Sequence, residues 1–592
     1  MNATVPAALA ADAPDATAAT HSTAHYLLEG LNDIGVEYIF SNFGTDHVSL
    51  IEEMAAWERQ HKRMAQAILC PHENVALHMA AGYAAITGRG QAVMVHVDAG
   101  TANAAMGMHN MFRSRLPVLL MAGKSPHTLR GELPGSRDNY VHFVQDPFDI
   151  ASIVRPYTKW EYSLPTGIVA REALRRGHSV MQSDPPGPVY MTLPRETLAE
   201  RWEESRMPAF PAGEYGEVEA GGIDPRQAEA IARELLAAQS PIVVTSYLGR
   251  KAQAVRALEA LAMRCGIRVY EFMPTYLGVS RALPCFGGFD PAPGLKTADV
   301  GLLLDVDVPW LPKFATPDPA TRWTHIDVDA IKRDFPMWGF ATHRRLQADC
   351  GRALEQVLEA VERLATPEFD TRVAQRIADW EPANAARKAA RAAAAADRGG
   401  PDGISPQYLC AVLGGAIGQD DIVVNEAIRN APAVLGQIHR TRPLTLLGCS
   451  GGGLGYSGGM ALGARLANPQ VRVVQIVGDG GFHFSTPTSV YAVAQKYRLP
   501  IFTVVLDNGG WQAVKEAVLR VYPDGEAAAA NQFQARLSGA GEQRHFEQVA
   551  QAFGAHGEQV SDPGELPAAI ARCLRAVDAG QAAVLNVRIV QL

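Results

Sequence analysis

The fold is decided by two segments, Val477-Gly478-Asp479-Gly480-Gly481-Phe482 and Val504-Val505-Leu506-Asp507-Asn508-Gly509-Gly510-Trp511. Each segment completes an apolar run, residues 471–477 and 501–506, and an amphipathic stretch lies between the two runs. This pattern predicts a strand, a loop, a helix, a second strand and a second loop. We therefore expect the side-chain oxygen atoms of Asp479 and Asn508 to lie at the carboxyl ends of two strands.

The chemistry of this pair indicates a metal site. Asp479 supplies an anionic oxygen and Asn508 a neutral one, the ligand types that Mg²⁺ takes when it also holds phosphate oxygens and water. Gly480 and Gly481 let the backbone approach a bulky anion, and their amides can point at it from the start of the next helix. The residues thus indicate a metal-bridged diphosphate site. An ordinary pair of turn-forming loops is the alternative.

Length and charge restrict the class of protein. A chain of 592 residues is long enough for three domains, and its net charge of -8, spread without long runs, argues against nucleic-acid binding or a polybasic membrane anchor. The seven cysteines form no Cys-x-x-Cys pair, so we expect neither disulfides nor a zinc knuckle. No apolar run reaches membrane-spanning length, and residues 1–22 lack Lys and Arg, unlike a transit peptide. We expect a soluble cytoplasmic enzyme.

Strands alternate with helices in three parts of the chain, which predicts parallel sheets covered on both faces. The predicted fold class is therefore α/β, with three doubly wound domains and mainly parallel sheets. A Pro-containing connector and an Ala/Arg-rich helical run separate these parts. The predicted division is a flexible tail at 1–22, a first domain at 23–200, a central domain at 220–365, a helical linker at 366–402 and a third domain at 403–592.

The C-terminal segments resemble a known cofactor motif. Gly-Asp-Gly, a spacer over residues 481–506 and then Asp507-Asn508 are similar to the thiamine diphosphate motif, which usually ends in Asn-Asn. The resemblance implies that Asp479, Asn508 and the carbonyl of Gly510 hold Mg²⁺. Asp507 departs from the motif because it adds a charge where the family has a neutral amide.

A second segment of the same family is found in the first domain. Pro71-His72-Glu73-Asn74-Val75-Ala76 leads into a helix of small residues. Taken alone, Glu73 is typical of an acid stabilised by the dipole of a first helical turn. Together with the diphosphate motif, it resembles the glutamate that hydrogen-bonds the aminopyrimidine of thiamine diphosphate. His72, adjacent to it as in acetolactate synthases, is a further catalytic candidate.

Two more segments resemble benzoylformate decarboxylase. Thr45, in Phe43-Gly44-Thr45-Asp46-His47, stands where that family has a serine that binds the substrate carboxylate. His96, in Val95-His96-Val97-Asp98-Ala99-Gly100-Thr101-Ala102-Asn103, resembles its histidine segment, and the spacing from Glu73 agrees. The resemblance implies that His96 is a proton shuttle or a carboxylate partner, a role suited to a side chain that titrates near neutral pH. A structural histidine at a strand end is the alternative.

The third domain adds a glycine-rich loop. Gly452-Gly453-Leu454-Gly455-Tyr456 resembles the Gly-Gly-Leu-Gly-Phe of benzoylformate decarboxylase, in which the leucine props the bent cofactor. Val423-Val424-Asn425-Glu426 also resembles that family, but Ala427-Ile428 replace the hydroxyl residues that touch the diphosphate. The resemblance implies that the cofactor is bound by Glu73, Asn425, Glu426, Gly452, Leu454, Gly478, Asp479, Gly480, Gly481, Asn508, Gly510 and Trp511.

The resemblance covers the chain from about residue 22 and implies domains that bind the pyrimidine and the diphosphate at its two ends. It implies a lyase or transferase that decarboxylates a 2-oxo acid to an enamine, followed by protonation to an aldehyde or by carboligation. It also implies a homodimer or homotetramer with active sites at the subunit interface. We do not expect FAD, because the central domain does not match the FAD contact motifs of related enzymes.

Several functional alternatives stay open from the sequence. Val514 replaces the glutamate of pyruvate decarboxylases, which argues against acetaldehyde formation from pyruvate. His96 favours a benzoylformate-type decarboxylase, whereas His72 and the segment around Gln145 favour an acetolactate synthase. A 2-hydroxyacyl-CoA lyase and a homologue that binds the cofactor without turnover are further alternatives. Residues 453–458 also match the Gly-x-Gly-x-x-Gly pattern of dinucleotide-binding folds.

Overall fold

The structure is a computed structural model that describes residues 19–533 and 544–591. Within those residues, three sheets of six parallel strands account for the main architecture, and two short antiparallel strand pairs accompany them. Helices connect the parallel strands, which confirms the predicted α/β class. Most of the predicted tail lies outside the described residues, but residues 20–22 form a strand.

The first sheet contains strands in the order β3-β2-β4-β5-β7-β6, and β1 pairs with β8 beside it. The strands are β1 Thr20–Ser22, β2 Tyr38–Ser41, β3 Gln66–Leu69, β4 Gln91–Val95, β5 Val118–Lys124, β6 Glu161–Ser163, β7 Val189–Pro194 and β8 Arg201–Glu203. The helices are α1 Thr23–Asp33, α2 Val48–Arg59, α3 Glu73–Thr87, α4 Val97–Ser114, α5 Val141–Val144, α6 Ala170–Gln182 and α7 Arg195–Ala199.

The central sheet has the order β11-β10-β9-β12-β13-β14, the order of doubly wound folds. Its strands are β9 Ile242–Thr245, β10 Arg268–Glu271, β11 Phe286–Gly288, β12 Val300–Leu304, β13 Arg322–Asp327 and β14 Arg344–Gln347. The helices of this part and of the linker are α8 Pro225–Ala237, α9 Ala252–Cys265, α10 Ala292–Leu295, α11 Cys350–Leu364, α12 Pro367–Asp379 and α13 Glu381–Ala396.

The third sheet has the order β18-β17-β19-β20-β22-β21, which is the topology of the first sheet repeated. Its strands, with the preceding β15–β16 pair, are β15 Gly399–Gly400, β16 Gly403–Ile404, β17 Ile422–Glu426, β18 Leu446–Leu447, β19 Val473–Gly478, β20 Phe502–Asp507, β21 His556–Val560 and β22 Ala583–Arg588. The helices are α14 Pro406–Ala416, α15 Ala431–Gln437, α16 Ser457–Ala467, α17 Asp479–Phe484, α18 Pro487–Tyr497, α19 Gln512–Val521, α20 Glu526–Ala529, α21 Phe546–Gln551 and α22 Leu566–Asp578.

The first and third sheets are joined by the crossing of α3 and α16, whose apolar side chains belong to one buried cluster. Glycine is required there: a Cβ on Gly82 would lie 2.0 Å from the carbonyl oxygen of Met460, and one on Gly463 would lie 2.0 Å from that of Met79. The two backbones therefore touch directly, and the crossing holds the amino-terminal ends of both helices close together. No helix among the described residues is long and apolar enough to span a membrane.

Candidate active site

Glu73 begins α3, and its side chain is buried. His72 caps the helix, since its Nδ1 accepts a hydrogen bond of 3.1 Å from the amide of Asn74. The Oε2 atom of Glu73 accepts a hydrogen bond of 3.0 Å from the side-chain amide of Asn103 on α4. The carboxylate is thus fixed at a defined place, while His72 is partly exposed beside it and serves the helix start.

The residues around Glu73 contact the glycine-rich loop of the third domain. The side-chain amide of Asn74 donates a 3.1 Å hydrogen bond to the carbonyl of Gly455. Asn110 and Gly453 exchange two more: the Gly453 amide donates to Oδ1 at 3.1 Å, and Nδ2 donates to the Gly453 carbonyl at 3.0 Å. The structure therefore brings Glu73 and this loop together within one chain. The predicted meeting of two subunits at the site stays a prediction.

His96 precedes α4 and is paired with Asp46 on the loop after β2. Its Nδ1 lies 2.5 Å from Oδ1 of Asp46, which is fully buried. This hydrogen bond raises the pKa of His96 against the opposing effect of burial. Burial alone pushes the pKa of Asp46 upward, but the hydrogen bond to His96 and the charge interactions with His47 and His96 together outweigh it, and the net pKa is lowered. The pair therefore favours a charged imidazolium whose Nε2 is left for another partner.

Other candidates of the first domain lie around this pair, and a hydrogen bond with the side chain of Gln145 adds to the rise in the pKa of His96. Thr45 is exposed on the loop that carries Asp46. Gln145 ends α5, and its carbonyl accepts a 2.7 Å hydrogen bond from the Ser125 hydroxyl. In the third domain, Val514 lies half-buried on α19.

The predicted metal ligands converge on one backbone amide. The amide of Gly510 donates to Oδ2 of Asp479 at 2.9 Å and to Oδ1 of Asn508 at 3.3 Å. Asp479 begins α17 at the end of β19, and Asn508 follows β20, the neighbouring strand, as the sequence predicts. Burial raises the pKa of Asp479, and the nearby Arg544 guanidinium opposes that shift. Two oxygen ligands thus lie side by side at one edge of the sheet.

Asp507, which departs from the family motif, has a cationic partner. Nη2 of Arg544 contacts Oδ1 of Asp507 and lies 2.9 Å from Oδ2 of Asp479. Each carboxylate also accepts a hydrogen bond from a nearby glycine amide, Gly509 for Asp507 and Gly480 for Asp479. Arg544 therefore neutralises the charge that the sequence left unexplained.

These residues fit a metal-bound diphosphate. The carboxylate and amide oxygens are of the type that Mg²⁺ prefers. The Arg544 guanidinium, a cation, already contacts the Asp479 carboxylate. Space is free above the loops, because a Cβ on Gly452 or Gly478 would meet nothing within 4 Å, and one on Gly480 would meet only the Trp511 ring, near 3.9 Å.

Three predicted cofactor residues also make contacts within the protein. Glu426 is fully buried and accepts hydrogen bonds from the amides of Gly455 and Ser457 and from the Ser457 hydroxyl. Burial raises its pKa to about 7, against these hydrogen bonds. Gly481 packs beside this carboxyl group, and the side-chain oxygen of Asn425 caps the amide of Ala427. Glu426 therefore acts on the glycine-rich loop and holds it in place.

Sequence reasoning missed five side chains at the site: Asp46, Asn103, His109, Asn110 and Arg544. Their contacts join distant parts of the chain, such as the 3.3 Å hydrogen bond from the Gly452 amide to Nε2 of His109. Two of them carried a signal, because Asp46 adjoins Thr45 in the loop already singled out and Asn103 ends the segment that contains His96. The others lie on helix faces or loops that no motif marks.

Both ends of the chain match models of one protein family. Residues 21–153 match the thiamine pyrophosphate enzyme, N-terminal TPP binding domain, and residues 431–587 match the thiamine pyrophosphate enzyme, C-terminal TPP binding domain. The chain belongs to the thiamine pyrophosphate enzyme family. This result favours the diphosphate interpretation of the glycine-rich loop over the dinucleotide-binding alternative.

Relatives within the family are distant but span most of the chain. A benzoylformate decarboxylase of Pseudomonas aeruginosa is 25% identical over 502 residues, covering 81% of this chain and 85% of that protein. An acetolactate synthase large subunit of Lactococcus lactis is 24% identical over 517 residues, covering 84% and 82%.

Solved structures share the fold. A thiamine diphosphate-dependent 4-hydroxybenzoylformate decarboxylase of Rhodococcus jostii RHA1 superimposes with a TM-score of 0.75 at 20% identity, covering 97% of this chain and 100% of that one. A benzoylformate decarboxylase of Polynucleobacter necessarius gives a TM-score of 0.74 at 16% identity, covering 96% and 98%. The three-domain architecture is therefore that of this family.

Proposed function

We propose that the protein is a thiamine diphosphate- and Mg²⁺-dependent enzyme that decarboxylates a 2-oxo acid and releases an aldehyde. The observation that supports this best is the hydrogen bond from Asn74, which follows the buried Glu73, to Gly455 of the glycine-rich loop. Asp479 and Asn508 lie at the ends of neighbouring strands in the same domain as that loop. When bound, the cofactor supplies a nucleophilic carbon and a sink for the electrons that CO₂ leaves behind.

Glu73 is assigned to the aminopyrimidine end of the cofactor. Its Oε2 is occupied by Asn103, and Oε1 lies 3.4 Å from the position of a Cβ on Gly100, so a larger residue at 100 would crowd it. A carboxylate held this way can exchange a proton at one fixed atom without reorganising during the reaction. The hydrogen bond from Asn74 to Gly455 ties the start of the helix that carries Glu73 to the loop that would support the cofactor.

His96 is assigned to the substrate end. Asp46 holds Nδ1 and favours the charged ring, so Nε2 carries the proton that can be given to the product. A proton delivered at this point yields an aldehyde, and this geometry is the reason to prefer simple decarboxylation. Thr45, on the same loop as Asp46, is the candidate partner of the substrate carboxylate.

Asp479, Asn508 and the carbonyl of Gly510 would hold Mg²⁺, which in turn would bind the diphosphate. Trp511, whose ring lies beside Gly480, and Leu454 of the glycine-rich loop would pack against the cofactor.

Carboligation to an acetohydroxy acid is the second candidate. Acetolactate synthases match this chain at nearly the same identity and coverage as the benzoylformate decarboxylase. His72 beside Glu73 is the local feature that agrees with them.

The test is CO₂ release and product identification on pyruvate, 2-oxobutyrate, phenylpyruvate and benzoylformate, with thiamine diphosphate and Mg²⁺ each added or withheld. CO₂ release that needs both additions and yields an aldehyde supports the proposal. Acetolactate or another acetohydroxy acid as product selects the second candidate. Absence of turnover on every acid, in protein that binds the cofactor, rejects both and leaves acyl-CoA substrates or a non-catalytic homologue.

A further inference from the structure

Arg544 is held beside the candidate metal ligands by contacts that do not involve them. Its backbone carbonyl accepts hydrogen bonds from Nδ2 of Asn586 at 2.6 Å and from Nε2 of Gln559 at 3.1 Å. Its guanidinium lies 5.4 Å from the centre of the Phe546 ring. The side chain is therefore brought to the metal edge of the sheet by the fold of the third domain.

At that edge the guanidinium stands between two carboxylates. Asp479 and Asp507 are almost fully buried, with side-chain exposures of 5% and 9%, and the same nitrogen of Arg544 contacts both. Two buried carboxylates this close repel each other strongly unless a cation lies between them. Within the described residues, Nε of Arg544 is buried and has no acceptor.

We propose that Arg544 is the charge partner that makes Asp507 compatible with a metal site, and that it competes with the divalent cation for Asp479. This inference rests on the proposed metal site and adds to it a residue that the family motif does not contain. With two carboxylates and one guanidinium, the site carries one net negative charge, the same as a site with Asp479, two neutral amides and no arginine. A metal ion would displace Arg544 from Asp479 and leave it on Asp507.

The net charge predicts how three variants rank in affinity for Mn²⁺, used in place of Mg²⁺. Arg544→Gln leaves both carboxylates and removes the competing cation, so Mn²⁺ should bind at least about tenfold more tightly than in the native protein. Asp507→Asn leaves Arg544 on Asp479 alone and cancels the charge, so Mn²⁺ should bind at least about tenfold more weakly. The double variant restores one negative charge and should return to near the native affinity.

Binding is measured on cofactor-free protein from the loss of the free Mn²⁺ signal in electron paramagnetic resonance. Arg472→Gln is the matched control, since it breaks an arginine–aspartate pair with Asp578 elsewhere in the third domain and should leave Mn²⁺ affinity unchanged. Equal affinity in Arg544→Gln and Arg472→Gln, or weaker binding in Arg544→Gln, would overturn the proposal.

Thermal unfolding without any metal gives a second readout. Arg544→Gln should lower Tm by more than Arg472→Gln does, because it leaves two adjacent buried carboxylates without a cation, and adding Asp507→Asn should recover most of that loss. Additive effects of the two substitutions on Tm would contradict a direct pair. Neither readout needs turnover, so failure here is distinguishable from failure of the proposed decarboxylase activity.

Discussion

The first and third sheets have one strand order, and equivalent positions in them carry different chemistry. The helix after the second strand is α3 in the first domain and α16 in the third, and these two helices pack against each other. Glu73 begins α3, whereas the glycine-rich loop ends where α16 begins. The start of the helix after the second strand of each sheet thus carries a carboxylate in the first domain and a glycine-rich loop in the third.

The strand ends show the same division. After the third strand, the first domain has His96 and the third domain has Asp479. Each is paired with a residue from another loop, His96 with Asp46 and Asp479 with Arg544. At this position the first domain therefore holds an imidazole that titrates beside a carboxylate, and the third holds carboxylates balanced by a guanidinium. The shared fold therefore provides equivalent positions in the two domains, and the residues at the strand ends give each domain its own chemistry.

The largest effect is expected from Glu73→Gln, which should abolish the proton chemistry of the first domain and leave the third intact. Turnover of the best 2-oxo acid should fall about 10²–10⁴-fold, because the amide cannot exchange a proton as the carboxylate does. Steady-state kinetics at saturating cofactor measure the loss, and Mn²⁺ affinity should stay native. Glu52→Gln, at an exposed position on α2, is the control and should be neutral. Full activity in Glu73→Gln would show that the first domain does not supply the proton chemistry through Glu73.

Asp479→Asn should produce the converse result. Removing the ligand charge should weaken Mn²⁺ binding about 10²-fold, since a divalent ion interacts strongly with an adjacent charge at a partly buried site. Isothermal titration with Mn²⁺ measures the change, and the titration of His96 by NMR should not move. Asp524→Asn, at an exposed position after α19, is the matched control. A native Mn²⁺ affinity in Asp479→Asn would show that the metal does not bind at this edge of the sheet.

Gly82→Ala tests the crossing that joins the two domains. A methyl group there would lie 2.0 Å from the Met460 carbonyl oxygen, so the helices must separate, at a cost of about 1–3 kcal/mol in the free energy of unfolding. Denaturant unfolding measures the loss. Gly415→Ala on α14 meets open space, and the same substitution there should stabilise the protein by roughly 0.5–1 kcal/mol. Equal effects at both positions would show that the crossing is not tightly packed.

The smallest effect is expected from Asp46→Asn, which should shift the pH dependence of the first domain. Asp46 raises the pKa of His96, so activity that needs the charged ring persists to higher pH in the native protein and should be lost at lower pH in the variant. At alkaline pH, kcat should fall about tenfold, below the usual contribution of a complete general acid. Burial raises the pKa of Glu426 to about 7, and this residue is unchanged in the variant, so the difference between the two profiles reports on His96. Superimposable pH profiles of the native protein and Asp46→Asn would show that the Asp46–His96 pair has no role in catalysis.

The same pair contributes to stability in a defined pH window. A histidine whose pKa is raised on folding stabilises the native state fully below its ordinary pKa of about 6.5, and the contribution disappears as pH rises through the raised value. The pH dependence of Tm in native protein and Asp46→Asn measures this contribution.

The sequence predicted the α/β class and the positions of Asp479 and Asn508 because buried parallel strands are short apolar runs that end in polar loops. Apolar periodicity reports burial, and it does not report which strands are neighbours, so the shared order of the first and third sheets was not predictable. Arg544 could not be assigned, because it reaches Asp507 only through the folding of distant loops onto Asn586 and Gln559. The hydrogen bonds of Glu426 to the glycine-rich loop were not predictable either, because they join residues about thirty positions apart in the chain.

The crossing of α3 and α16 has a consequence for ligand size. Glu73 and the glycine-rich loop stand at the starts of two helices whose backbones touch at Gly82 and Gly463, well inside the protein. The separation of α3 and α16 at that point sets the distance between Glu73 and the glycine-rich loop. The size of a ligand that fits between Glu73 and the loop can therefore be altered by substitutions at buried residues that never touch the ligand.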